Sequence, residues 1–363
     1  MRVLIIKLSS LGDVIHTLPA VTDAARAWPG LRFDWLVEEA FVEAPGWHPA
    51  VAAVIPAALR RWRKAPLAAW RSGEWRRLRE RLRATRYDQV LDAQGLIKSA
   101  WLARWAQGPR VGLDRASARE PLASWGYGTR VAAPPGRHAV VRLRTLFAGA
   151  LGYQAPTGAP DYGIALPQPA SPSRRVLLLH GTTWATKHYP EAFWRELARL
   201  ASAAGFGVDV PWGDAAARAR AQRLTRGLAG AAVLPRLSLE GLARHMMGVS
   251  GVIAVDTGLA HLAAALARPQ VVVYGPTDPR LTGVCGRRQA ALPAALGCAP
   301  CLRRRCSLAP AAGVWPRCFS TLPPAAVWER LLVLMADAAR EDAVGLAVER
   351  APGPDTAFGR IVR

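Results

Sequence analysis

Short, wholly apolar runs, each emptying into a polar loop and then a helical repeat, constrain this chain more than any other feature. Val3 to Ile6 is the first, followed by Ser9-Ser10-Leu11-Gly12-Asp13 and then Ile15, Leu18, Val21, Thr22 and Ala25 at helical spacing. A strand with no polar side must be covered on both faces, which is the situation inside a parallel sheet. Phe33 to Val37 and Gln89 to Asp92 read as further strands, with an Arg-dense helix over Trp70 to Arg86 between them. From Ala155 to Ser173 five prolines interrupt any regular element, so the stretch reads as a linker. The pattern then restarts with a strand over Val176 to Leu179, a polar loop and a helix over Glu191 to Ala204. Strands over Gly207 to Pro211, Val252 to Val255 and Gln270 to Tyr274 follow, the last two separated by a helix over Leu259 to Ala267. The fold class is therefore α/β, two Rossmann-like domains (1–160 and 174–340) with a cleft between them. A terminal helix over Pro323 to Arg340 and a loose tail over 341–363 complete the reading.

At 363 residues and 51% apolar, the chain is long enough for each domain to bury its own core. Its net charge is +22, from 48 Lys and Arg against 26 Asp and Glu. Such a field attracts polyanions: nucleic acid, an anionic membrane face or a phosphorylated substrate. Arg, Ala, Gly and Pro are all abundant, so genomic composition explains part of the bias, though not a local cluster. Lys7 breaks the first apolar run without a cleavage site after it, and no stretch reaches the roughly 18 apolar residues of a membrane span. A cytoplasmic protein is expected, associated peripherally with the inner membrane. No helix-turn-helix, zinc finger or RNA-binding signature supports a specific nucleic-acid partner.

Three loops carry the chemistry. Asp13 stands at a strand's carboxyl end beside Gly12, where a carboxylate serves either as a general base or as a helix-capping residue. In the second domain, His180-Gly181-Thr182-Thr183 leads to Lys187-His188-Tyr189-Pro190, combining hydroxyls, backbone amides and an ammonium that suit phosphate oxygens. A solvated lysine in a loop is the plainer alternative. Asp256-Thr257-Gly258-Leu259-Ala260-His261 turns from strand into helix and forms a cradle for a diphosphate and ribose. Gly275-Pro276-Thr277-Asp278-Pro279 is another loop of this kind.

On these motifs the chain resembles the lipopolysaccharide heptosyltransferases of glycosyltransferase family 9. The likeness includes Asp34 to Glu39, Arg60 to Lys64, Asp92 to Leu96 with Lys98-Ser99, Ala118 to Ser124 and Pro211-Trp212-Gly213, and runs to about Pro279. The resemblance implies a GT-B fold whose final helix crosses back to the first domain. It implies an inverting transfer of L-glycero-D-manno-heptose from ADP-heptose to the Kdo of Kdo-lipid A, with no cofactor or catalytic metal. The alternative acceptor is a heptose already on the core; the Arg60 to Lys64 cluster and the Asp34 to Glu39 segment favour Kdo. Asp13 would be the base and Lys187 the stabiliser of the leaving group. Thr182, Thr183, Asp256, Thr257, Gly258 and His261 would hold the donor beside Lys187. Ser10, Gly12, Arg60, Arg61, Arg63, Lys64, Arg119 and His138 would form the acceptor site, the basic cluster being a loop that grips phosphates and carboxylates. Arg76 to Arg83 read as a solvated helix.

Four of the five cysteines crowd together as Cys298, Cys301, Cys306 and Cys318. Free thiols are the first reading, a structural zinc the second and disulfides the third.

Overall fold

The structure, a computed structural model, describes residues 1–350 apart from 168, 170 and 171, with side chains as far as 343. The first domain is a parallel sheet of β1 (Arg2–Ile6), β2 (Arg32–Glu38), β3 (Val51–Ala57), β4 (Gln89–Asp92), β5 (Arg110–Leu113) and β6 (Thr129–Val131). Its order is β3-β2-β1-β4-β5-β6. Helices α1 (Leu11–Ala27), α2 (Glu43–Gly46), α3 (Leu59–Lys64), α4 (Pro66–Arg71), α5 (Glu74–Arg83), α6 (Ile97–Ala103) and α7 (Ala139–Leu151) cover its two faces. The second domain repeats the plan with β7 (Ser173–Leu179), β8 (Gly207–Val210), β9 (Ala231–Val233), β10 (Val249–Val255), β11 (Gln270–Tyr274) and β12 (Gln289–Pro293), ordered β12-β11-β10-β7-β8-β9. Its helices are α8 (Glu191–Ala203), α9 (Ala215–Thr225), α10 (Leu239–Met247), α11 (Gly258–Ala265), α12 (Pro279–Thr282) and α13 (Pro324–Arg350).

The register brings the chemistry together. Ile6 pairs with both Leu36 and Asp92, and Val255 pairs with Val273. The loops after the central strands of each sheet therefore open at one edge, where ligands of such sheets bind. One core cluster joins Val3, Ile5 and Val14 of the first domain to Leu177, Ala260 and Leu262 of the second. The two domains thus meet through apolar packing, and α1 lies directly on α11.

Several elements differ from the sequence reading. The Arg-dense helix is two helices, because Gly73 adopts φ +69 between α4 and α5. Strands β3, β5, β6, β9 and β12 are additional to the sequence reading; β3 contains Pro56 and lies at the sheet edge, the place where a strand tolerates proline. Residues 341–350, expected as tail, continue α13. Arg288 reaches Glu341 at 2.9 Å and Asp342 at 2.5 Å, which fastens this part of the helix. The rest of that expected tail, 351–363, lies outside the described residues. The chief packing partners of α13 are α8, β10, β11 and β12, so it seats on the second domain instead of crossing to the first.

A candidate transfer site at the domain seam

Asp13 occupies the third position of α1, and its carboxylate accepts from the Ser10 amide at 2.7 Å and the Ser10 hydroxyl at 3.0 Å. Capping and chemistry are therefore compatible here, since one face of the carboxylate orders the helix start. Behind this loop Lys7 is buried, its Nζ donating to the Ala93 carbonyl at 2.9 Å. Burial lowers the Lys7 pKa; Arg119 adds to the lowering while Asp13 opposes it, which puts all three in one neighbourhood. Gln94 Oε1 accepts from the Leu8 and Ser9 amides and fixes the loop's path.

Across the seam, Lys187 Nζ lies 2.6 Å from Asp256 Oδ2, which also accepts from the Thr277 hydroxyl at 2.7 Å. Thr182 donates to the Asp256 carbonyl at 3.2 Å, and Lys187 lies over the Trp184 ring, 4.6 Å from its centroid. Thr257 stands at the N-cap position of α11 without a side-chain capping bond, and Gly258 begins the helix. Thr183 is exposed on the same loop.

The contact between α1 and α11 depends on two glycines. A Cβ on Gly12 would stand 2.6 Å from His261 Cδ2, and one on Gly258 would stand 2.8 Å from Leu11 Cβ. His16 Nε2 meets His261 Nδ1 at 3.1 Å, and His138 Nε2 meets the Gly283 carbonyl at 3.0 Å. His16 also stacks edge-on to His138 at 5.5 Å. Burial takes the His261 pKa down to about 4, with Asp256 and Asp13 pulling upward and His138 and Lys187 downward. Charged groups from both domains therefore converge on this imidazole.

The acceptor residues expected from sequence divide. Ser10, Gly12 and Arg119 border the loop of Asp13, whereas His138 caps α7 and bonds into the second domain. The Arg60 to Lys64 cluster is the short helix α3, not a loop, because buried Trp62 anchors it. Arg61 is not a free cation: it pairs with Glu39 at 3.1 Å and Glu74 at 2.9 Å. Arg60, Arg63 and Lys64 are exposed. The four clustered cysteines are free thiols lining one cavity of about 20 Å³ behind the Gly275-Pro276 loop. Among the described residues, no group of three or more His, Cys, Asp or Glu side chains is placed to hold a metal ion. Burial pushes the Cys318 thiol up to about 11.

Sequence reasoning passed over His16, Lys7 and Trp184. Lys7, a charge at the end of an otherwise apolar strand, was the available signal; His16 sat unremarked within a helical repeat.

Two Rossmann-like domains closed over a seam of this composition define a glycosyltransferase of the GT-B kind. The chain belongs to glycosyltransferase family 9: the family description "Glycosyltransferase family 9 (heptosyltransferase)" matches residues 75–312. It is 53% identical to lipopolysaccharide heptosyltransferase 1 of Pseudomonas aeruginosa, covering 92% of this chain and 98% of that protein. It is 51% identical to the enzyme of the same name from Escherichia coli K12, over 80% of this chain and 92% of the relative. The solved E. coli heptosyltransferase WaaC with ADP superposes with a TM-score of 0.82 at 46% identity, covering 92% of this chain and all of that one.

Proposed function

We propose that this chain transfers L-glycero-D-manno-heptose from ADP-heptose to the Kdo of Kdo-lipid A. It acts as the first heptosyltransferase of the inner core, at the inner face of the membrane. The observation that carries the reading is the seam, where Asp13 and Gly12 of one domain face His261 and Gly258 of the other beside Lys187 and Asp256. Relatives near 50% identity share the name heptosyltransferase 1, which favours the Kdo acceptor over a heptosylated one.

In this reading Asp13 takes the proton of the attacking Kdo hydroxyl. The oxygen then displaces the diphosphate in line, forming the new glycosidic bond as the anomeric carbon–phosphate oxygen bond breaks, with inversion. ADP departs with added negative charge, met by Lys187 and by the amide-rich start of α11. Asp256, which accepts from the Thr277 hydroxyl, holds Lys187 in place. Thr182, Thr183 and Thr257 contact donor oxygens, while Arg60, Arg63 and Lys64 receive the anionic acceptor. Closure of the seam keeps water from competing for the sugar.

The test supplies purified protein with ADP-heptose and either unheptosylated or heptosylated Kdo-lipid A, following product by mass. One added heptose on the unheptosylated acceptor alone is expected. Product only on the heptosylated acceptor would overturn the acceptor assignment, and no product on either would overturn the donor.

A further inference from the structure

Outside the seam, the outer surface of the first domain carries a second constellation that transfer chemistry does not use. Trp70 is 74% exposed and Trp125 is 68% exposed, with Leu67, Ile97, Trp101 and Leu122 also open to solvent. A globular surface seldom leaves so many large apolar side chains uncovered without a partner. Helices α4, α5 and α6 enclose a groove of about 590 Å³ whose lining includes Trp70, Arg71, Trp75, Arg76, Arg79 and Trp101. Its floor is built: Trp75 packs on Trp62 at 4.3 Å and edge-on to Trp101 at 5.7 Å. The turn bearing Leu122 and Trp125 packs on α6 and extends the face.

The charge of this face is one-sided. Among the described residues, Glu80 is the one carboxylate paired with any of Arg71, Arg76, Arg77 and Arg79, and the nearby Glu74 is engaged by Arg61 and the Trp62 indole. Glu80 pairs with Arg76 at 3.7 Å, an exposed contact that leaves most of the positive field in place. Indoles with one apolar and one polar end, set among arginines, have the composition of a surface that lies in the headgroup layer of an anionic membrane. The face also joins the basic helix α3, because Trp62 of α3 is the ring on which Trp75 packs.

We propose that this Trp and Arg face docks the protein on an anionic phospholipid bilayer. Docked so, α3 meets the headgroup layer from the same side, and a lipid-anchored acceptor is presented to Arg60, Arg63 and Lys64 without leaving the bilayer. The inference rests on the functional reading for its purpose, though not for its binding chemistry.

The experiment sediments full-length protein with vesicles of phosphatidylcholine alone and of phosphatidylcholine with three-tenths phosphatidylglycerol. Wild type is compared with Trp70→Ser/Trp101→Ser and with Arg71→Gln/Arg76→Gln/Arg79→Gln. Binding selective for the anionic vesicles is expected, falling roughly tenfold or more in each variant, with weaker salt dependence in the arginine variant. Transfer to a deacylated, water-soluble acceptor should stay at the wild-type rate in both variants, which also shows that they fold. Vesicle binding unchanged in both variants would overturn the proposal. So would loss of DNA-duplex binding in the variants with vesicle binding intact, which would assign the face to nucleic acid. Absence of transfer by wild type to the soluble acceptor would refute the functional reading alone, and sedimentation would still decide the surface.

Discussion

Burial sets the protonation of the seam's histidines. His261 is held down to about 4, His16 lies well below its ordinary value, and His138 is lowered, in each case chiefly by desolvation. In the unfolded chain these groups titrate near about 6.5. As pH falls, the unfolded state takes up the proton first. The stability that neutral His261 confers is therefore complete above roughly pH 6.5 and is lost between there and about 4. Urea unfolding measured from pH 7.5 to 4.5 should show His261→Gln with a shallower acid slope, by up to about 1.4 kcal/mol per pH unit. His48 and His180, also lowered to about 4 by burial, would keep some slope in the variant. An unchanged slope would remove His261 from this role. Lys187 makes the complementary case. Lys187→Met should cut turnover by about 10²–10³ if the ammonium meets the leaving diphosphate. It should also lower the melting temperature, because Asp256 is buried and would keep only Thr277 as its side-chain donor. Lys187→Arg should restore the melting temperature more than the rate. A rate loss without a stability loss would separate Lys187 from Asp256.

At the scale of elements, the chain's alternation of apolar strands, polar loops and helical repeats made β1, β2, β4, β7, β8, β10 and β11 legible, because a buried parallel strand has no polar face to confuse the reading. Strands β3, β5, β6, β9 and β12, toward the sheet edges, were not legible in this way. The same logic placed Asp13, the Lys187 loop and the Asp256 turn at strand ends. What remained illegible depends on contacts distant in sequence. That Arg61 is tied to Glu39 and Glu74, or that His138 reaches Gly283, follows from tertiary packing alone. The close crossing of α1 and α11 belongs to this class: Gly12 and Gly258 are ordinary glycines in sequence and become necessary only where two helices meet. Gly12→Ala places a methyl 2.6 Å from His261 Cδ2, so the buried imidazole or the helices themselves must shift. Small-angle scattering should then report a larger radius of gyration, with kcat reduced about tenfold or more through misalignment. Wild-type dimensions and rate together would show that the seam accommodates the methyl.

The whole molecule is two sheets sharing one apolar cluster across their interface, so separating the domains would expose core-like surface. Among the described residues no helix is long and apolar enough to cross a membrane. The basic helix α3 and the groove beside it, with Arg71, Arg76 and Arg79, carry part of the chain's +22 charge.

The central claim is that heptosyl transfer runs through Asp13 at this seam, and single-turnover transfer by Asp13→Ala, read beside its affinity for ADP-heptose, tests it most directly. The account predicts a rate lower by about 10²–10⁴ with donor affinity close to wild type, since the carboxylate acts on the acceptor proton and not on the nucleotide. Turnover near the wild-type rate would contradict it, and so would loss of donor affinity large enough to account for the whole loss of rate.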